Sequence, residues 1–162
     1  MIFLCVIIQN MDVKIINAFL TAGLNAFQSM FAIEAVNNEP YLLKTNAGHP
    51  WEISGLLGVT GDCGGVVAFR LHKVLSLKML ELSGMSFKPE ERDVMSKGLV
   101  SEFTNIISGN AVTALSHIDM DISPPVTISG HNHIISWPQG YPVIAIPFTT
   151  KFGPFEVDVC FK

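Results

Sequence analysis

The chain has 162 residues, 49% of them hydrophobic and only 15% charged, with a formal net charge of −4. That length suits one domain with a sizeable core, and the scattered Lys and Arg residues form no basic stripe of the kind a nucleic-acid surface needs. So apolar a composition leads us to expect extensive burial and a subunit interface.

Residues 1–8, MIFLCVII, are almost wholly apolar. They lack a basic n-region and a small-residue cleavage site, and they are too short to span a bilayer. Residues 1–10 are therefore read as an apolar N-terminal extension, an edge strand or a disordered start, with Met11 an alternative natural start. Cys5, Cys63 and Cys160 share no C-x-x-C or zinc-finger spacing, which suits reduced thiols in a cytoplasmic protein.

Asp12 is a suitable N-cap for a helix running to about Phe31, in which Ile15, Ile16, Phe19, Leu20, Leu24, Phe27 and Phe31 recur at helical spacing. Residues 32–50 read as short strands and turns. Two β-rich runs, residues 52–59 and 65–71, flank Thr60-Gly61-Asp62 and predict a hairpin. A second helix is expected over residues 72–82, stopped by Gly84, and a third from Pro89 to about residue 115. Beyond it, Pro and Gly punctuate runs such as VTISG, VIAIPF and FEVDVCF. The last alternates, with Phe155, Val157, Val159 and Phe161 on one face. Short connections predict a largely antiparallel sheet, and the whole chain reads as one two-layer α+β domain, long helices packed on that sheet.

The third helix carries the most informative stretch, GLVSEFTNIISGNAVTALS, residues 98–116. At about 100° per residue, Leu99, Phe103, Ile106, Ile107 and Ala114 gather on one side. Gly98, Glu102, Asn105 and Gly109 form another stripe, roughly 140° away. Each interior glycine costs about 0.5–1 kcal/mol relative to alanine. Two of them around a carboxylate and an amide suggest that another backbone approaches closely there, the alternative being that they pack against a neighbouring element of the same chain.

The segment SEFTNIISGNA resembles the E-x-x-N-(x)-I-x-G-N-A signature of the CheC/CheX chemotaxis phosphatases. MDVKIINAFLTAGLNAF, ISGLLGVTGDCGGVVAF and DISPPVTISGHNHII are similar to the family's opening helix, central hairpin and segment after the signature helix, so the resemblance covers most of residues 11–161. It implies a phosphatase acting on the phosphoaspartate of a CheY-type receiver domain. Glu102 would dock to the receiver's lysine and Asn105 would orient the hydrolytic water; Gly98, Ser101 and Gly109 would lie against the partner. It implies a homodimer, and no cofactor of its own, the Mg²⁺ being supplied by the receiver.

Gly98 departs from CheC-type chains, which carry Asp or Ser at that place. On the opening helix Ala22 stands three residues before Asn25, so the second E-x-x-N pair of some CheC-type chains is absent, a CheX-like arrangement. A proline downstream in the family pattern has Pro124 or Pro125 as its counterpart. The alternative of another class is a non-catalytic adaptor that binds a receiver or the flagellar switch.

Other residues read as structural. His131 and His133 lack further ligands for a metal, and a turn over Gly130–Asn132 accounts for them better. Asn110 falls on the apolar side of the third helix and reads as a buried amide. Asp62 is a turn residue, and Gly61, Gly64 and Gly65 precede no G-K-[ST]. Local sequence assembles no Ser-His-Asp group.

Overall fold

The computed structural model describes residues 13–162. The extension over residues 1–10 and the Asp12 cap lie outside the described residues. The elements are α1 (Val13–Phe31), β1 (Ala35–Asn37), β2 (Tyr41–Leu42), β3 (Ile53–Gly61), β4 (Gly65–Leu71), α2 (Lys73–Leu82), a 3-10 turn (Pro89–Glu91), α3 (Arg92–Ala114), β5 (Met120–Ile122), β6 (Val126–Ser129), β7 (Ile144–Thr150) and β8 (Gly153–Phe161). The strands form one sheet in the order β1-β7-β8-β4-β3-β5, with β2 also on β7 and β6 also on β3. Every pairing is antiparallel, as the short connections require.

The hairpin forms where Thr60-Gly61-Asp62 predicts it, with Val59 opposite Gly65 and Ile53 opposite Leu71. Gly61 takes a left-handed φ of 113°, which glycine tolerates at little cost. Asp62 acts as a turn residue whose carboxylate accepts from the Asp119 backbone N–H at 3.2 Å, tying the hairpin to β5. Gly84 follows α2 with a φ of 76°, the conformation that stops a helix.

One sheet face meets the helices. Ile53, Leu57, Val67, Phe69, Ile146, Phe148, Phe155, Val157 and Val159 share one core with Phe19 and Phe27 of α1, Leu75 and Met79 of α2 and Leu99, Phe103 and Ile107 of α3. Its centre is aromatic. Phe27 stacks on Phe155 with centroids 4.2 Å apart, Phe155 stacks on Phe148 at 4.5 Å, and Phe103 meets Phe27 edge-on at 4.8 Å. Such pairs add about 0.5–1.5 kcal/mol beyond their buried area. Where α3 crosses β3, Gly55 lets the backbones close up: a Cβ there would overlap the Thr104 hydroxyl and lie 3.3 Å from the Val100 carbonyl.

The alternation of β8 puts Phe155, Val157, Val159 and Phe161 on the helix side as expected, yet the opposite face is buried too. Arg70, Glu156 and Asp158 are only 3%, 3% and 0% exposed. Arg70 Nη1 donates to Asp158 Oδ2 at 3.0 Å, and the Tyr41 hydroxyl donates to Glu156 Oε2 at 2.5 Å. Burial, and then the Glu156 carboxylate beside it, push the Asp158 carboxyl well above its usual range. Burial likewise raises the Tyr41 phenol.

Two predictions come from this packing. Gly55→Ala should cost about 1–3 kcal/mol by overpacking, and Thr104→Ala in the same chain should recover part of the loss; chemical denaturation of the single and double variants checks both. For Asp158, the folded chain keeps a proton that the unfolded chain releases in the ordinary carboxyl range, so this residue's contribution to stability falls as pH rises through that interval. The melting temperature of wild type relative to Asp158→Asn, which cannot ionise, should therefore drop as pH rises above the ordinary carboxyl range of about 4. A difference that does not change with pH contradicts this.

Candidate functional site: the outer stripe of α3

The rotation of α3 decides what it shows to solvent. Its buried residues are Ser96, Leu99, Val100, Phe103, Thr104, Ile107, Ser108 and Ala111. Phe103, fully buried, enters the aromatic centre, and its ring lies 5.1 Å from Phe69 and 5.4 Å from Phe31. One turn of this packing leaves the preceding residue, Glu102, pointing away from the core.

Glu102 is exposed and Asn105 half-buried, on adjacent turns of the same stripe, with Gly98 exposed before them and Gly109 half-buried after them. Ser101 is half-buried beside Glu102. Neither the Glu102 nor the Asn105 side chain makes a hydrogen bond or ion pair among the described residues, so the carboxylate oxygens and both ends of the amide are free to meet another molecule.

The two glycines are not needed by the chain's own packing. A Cβ at Gly98 would meet nothing within 4 Å, and one at Gly109 would make an ordinary 3.9 Å contact with Ile122 Cδ1. The cost of two helix-interior glycines is therefore unexplained by packing against a neighbouring element of this chain. They leave the stripe flat, so that a second backbone can come close to Glu102 and Asn105.

Beside the stripe run β5 and β6. Thr127 Oγ1 donates to the Lys97 carbonyl at 3.3 Å, and Ser123 exchanges hydrogen bonds with Gly58, accepting at Oγ from its N–H and donating its own N–H to its carbonyl, both at 2.8 Å. That pair fixes the start of the Pro124-Pro125 corner at the sheet edge. At the other end, Asp93 holds Lys73 at 2.7 Å and Lys97 at 2.8 Å. The two lysines keep its carboxyl down at about 2. On α1, Ala22 is buried and Asn25 exposed, so no carboxylate accompanies that amide.

Two expectations for α3 need correction. Asn110 is exposed, not a buried amide, and Ala114 is exposed rather than part of the apolar side. The buried stripe is centred on Val100, Thr104, Ile107 and Ala111, which turns Asn110 outward, and at the end of the helix it is the C-cap residue Leu115, not Ala114, that enters the core.

The histidines occupy a turn, Gly130 and Asn132 both having positive φ, 126° and 56°, and no group of three His, Cys, Asp or Glu side chains among the described residues is placed to hold a metal ion. Sequence reasoning missed a polar cluster on the helix-free sheet face. The Ser54 hydroxyl and His133 Nε2 lie 2.6 Å apart, and His133 Nδ1–H donates to the Gly130 carbonyl at 2.8 Å. Ser54 is fully buried, which suits a satisfied polar pair rather than an accessible nucleophile. Glu156 and Asp158, at alternate positions of an otherwise apolar strand, were the available signal.

Among the described residues, no helix is long and apolar enough to cross a membrane. No curated protein matches the sequence significantly. A family model described as chemotaxis phosphatase CheX matches residues 53–149. Among solved structures, a CheC-like superfamily protein from Shewanella sp. PV-4 superposes with a TM-score of 0.82 at 31% identity, covering 94% of this chain and 99% of that one. The chemotaxis protein CheX from Desulfovibrio desulfuricans gives 0.81 at 33% identity, over 92% and 99%. The CheX in a CheX–CheY–BeF₃–Mg²⁺ complex from Borrelia burgdorferi gives 0.76 at 26%, over 91% and 97%. With more than half its length matched by the family model and its fold shared nearly end to end, the chain belongs to the CheX family of chemotaxis phosphatases.

Proposed function

We propose that this chain hydrolyses the aspartyl phosphate of a CheY-type receiver domain, with Glu102 and Asn105 entering the receiver's phosphorylation site. The observation that carries the reading is the free, outward Glu102 and Asn105 pair between two glycines that the chain's own packing does not require. The solved complex of a CheX with CheY, BeF₃ and Mg²⁺ supports it, because beryllofluoride has the shape and charge of an acyl-bound phosphoryl group.

An aspartyl phosphate is already activated, so what the phosphatase must add is chiefly the position of a water. The Asn105 carbonyl accepts a hydrogen bond from that water and its NH₂ donates to a phosphoryl oxygen. The water attacks phosphorus in line, the bond from phosphorus to the aspartyl oxygen breaks, and the carboxylate leaves as inorganic phosphate forms. A neutral amide is too weak a base to take the proton, so Asn105 orients rather than deprotonates. Glu102 pairs with the receiver's lysine, where exclusion of water strengthens the attraction. Gly98, Ser101 and Gly109 form the surface on which the receiver rests. One carboxylate beside one amide is too few ligands to hold Mg²⁺, and in this reading the receiver would supply the ion, which would offset phosphoryl charge there. A homodimer in the cytoplasm is part of the same proposal, and a monomer on sizing at micromolar concentration would count against it.

Phosphate release from a panel of phosphorylated receivers tests the reading. Asn105→Ala should lose about 100-fold in turnover with receiver binding largely kept. Glu102→Ala should weaken docking by about tenfold as well as slowing release. Equal release by wild type and both variants removes the hydrolysis and leaves a receiver- or flagellar-switch-binding adaptor.

A further inference from the structure

The face of α3 that carries Gly98, Glu102, Asn105 and Gly109 does not begin at Gly98. Val94 stands four residues before it, within about 50° of the stripe's centre at 100° per residue, and is 73% exposed. A single exposed valine needs no explanation elsewhere on a surface. Here it stands one helical turn, about 5.4 Å, from a glycine whose Cβ would meet nothing within 4 Å. Side chains four apart are neighbours on a helix, so a second backbone that settles on Gly98 comes within reach of the Val94 methyls.

The charges around Val94 are turned off that face. Arg92, Asp93 and Lys97 lie roughly 110–150° around the helix from the stripe, and each is engaged there. Arg92 Nη2 meets Glu81 Oε1 at 2.6 Å, and Asp93 accepts from Lys73 of α2 at 2.7 Å and from Lys97 at 2.8 Å. Glu91 Oε2 accepts from the Lys88 N–H at 2.9 Å, closing the turn that leads into α3. Exposed ion pairs add little stability singly, but these tie the first turns of α3 to α2. Val94 is thus an apolar side chain shown outward on a pinned turn, with its charged neighbours directed sideways.

We propose that Val94 is a specificity-determining contact of the receiver-docking surface, packing against an apolar side chain on the rim of the receiver's phosphorylation site. This rests on the reading that α3 docks a receiver, and extends it along a continuous surface. Glu102 and Asn105 act inside the phosphorylation site, whereas Val94 lies about 12 Å along the helix from Glu102 and meets the rim. A charge pair such as that of Glu102 fixes register and on-rate more than affinity. Burial of a valine adds affinity that is equal for the bound receiver and the transition state. Val94 therefore governs which receivers are held, with no part in the hydrolysis itself.

Phosphate release by the full chain, measured across concentrations of a phosphorylated receiver, tests this. Val94→Ser should raise KM about fivefold and leave kcat unchanged, while Val94→Leu should keep the wild-type KM or lower it. Val94→Asp and Val94→Lys should both raise KM about tenfold or more, because an apolar contact rejects either charge. Val126→Ser is the control. Thr127 turns its hydroxyl to the Lys97 carbonyl, so Val126, 60% exposed, points to the other sheet face and its loss should not move KM. Equal KM across the Val94 variants of an active chain overturns the inference and leaves the hydrolysis standing. A weakened Asp variant beside a tightened Lys variant overturns it too, since that is contact with an acidic rim. If wild type releases no phosphate, the hydrolysis fails, and titration with a beryllofluoride-activated receiver decides Val94 by itself. Binding about tenfold weaker in Val94→Asp supports the contact; equal binding, or none by wild type, overturns it.

Discussion

The burial of Phe103 among Phe27, Phe31 and Phe69 is the constraint on which the rest of the structure depends. A helix laid on a sheet is free to roll until a large side chain finds its pocket, and a fully buried aromatic ring supplies several kcal/mol to resist the roll, since Phe→Ala in a core costs about 3–5 kcal/mol. Phe103 is flanked in sequence by the two residues whose placement matters most. Thr104 settles over Gly55, where only a glycine leaves room, and Glu102 is turned to solvent. The proposed chemistry is thus set by packing on the other side of the helix, not by any contact of its own. A glycine in β3 and a phenylalanine in α3 do more to aim Glu102 and Asn105 than any neighbour of theirs on the surface.

The sheet serves two different environments. Its helix-facing side is a dry aromatic and aliphatic core. The other side buries Arg70, Glu156, Asp158 and Ser54 beneath the connections around residues 41–51 and 130–137. Burying charges in this way seldom raises stability, because the desolvation cost rivals the attraction between them. Removing one partner alone is far more harmful than its presence is helpful. The cluster is therefore a feature the fold carries rather than a source of its stability.

Local features of the sequence were legible where local physics decides them. Gly61 and Asp62 marked the hairpin, Gly84 ended α2, Pro89 opened the segment leading to α3, and the alternation of β8 identified its core face. The two misread positions of α3 show the limit of periodicity. A 100° wheel holds only while the backbone stays helical, and at the C-cap it is Leu115 that turns into the core while Ala114 is left exposed. Asn110 sits at the stripe's edge, where one step of rotation separates buried from exposed. The opposite sheet face was illegible for another reason. Ser54 meets His133, Arg70 meets Asp158 and Tyr41 meets Glu156 across 79, 88 and 115 residues of chain, and no spacing rule links residues so far apart. The stripe of Glu102 and Asn105 was readable because its four residues lie within three turns, and the family resemblance, not the periodicity, attached a reaction to it.

The most direct measurement of the central claim is a crystal structure of this chain with a beryllofluoride-activated CheY-type receiver and Mg²⁺. The account predicts that α3 lies across the receiver's phosphorylation site, with the Asn105 amide within hydrogen-bonding distance of the beryllofluoride or its in-line water and the Glu102 carboxylate on a receiver lysine. A complex held through any other surface, with α3 facing open solvent, would contradict it.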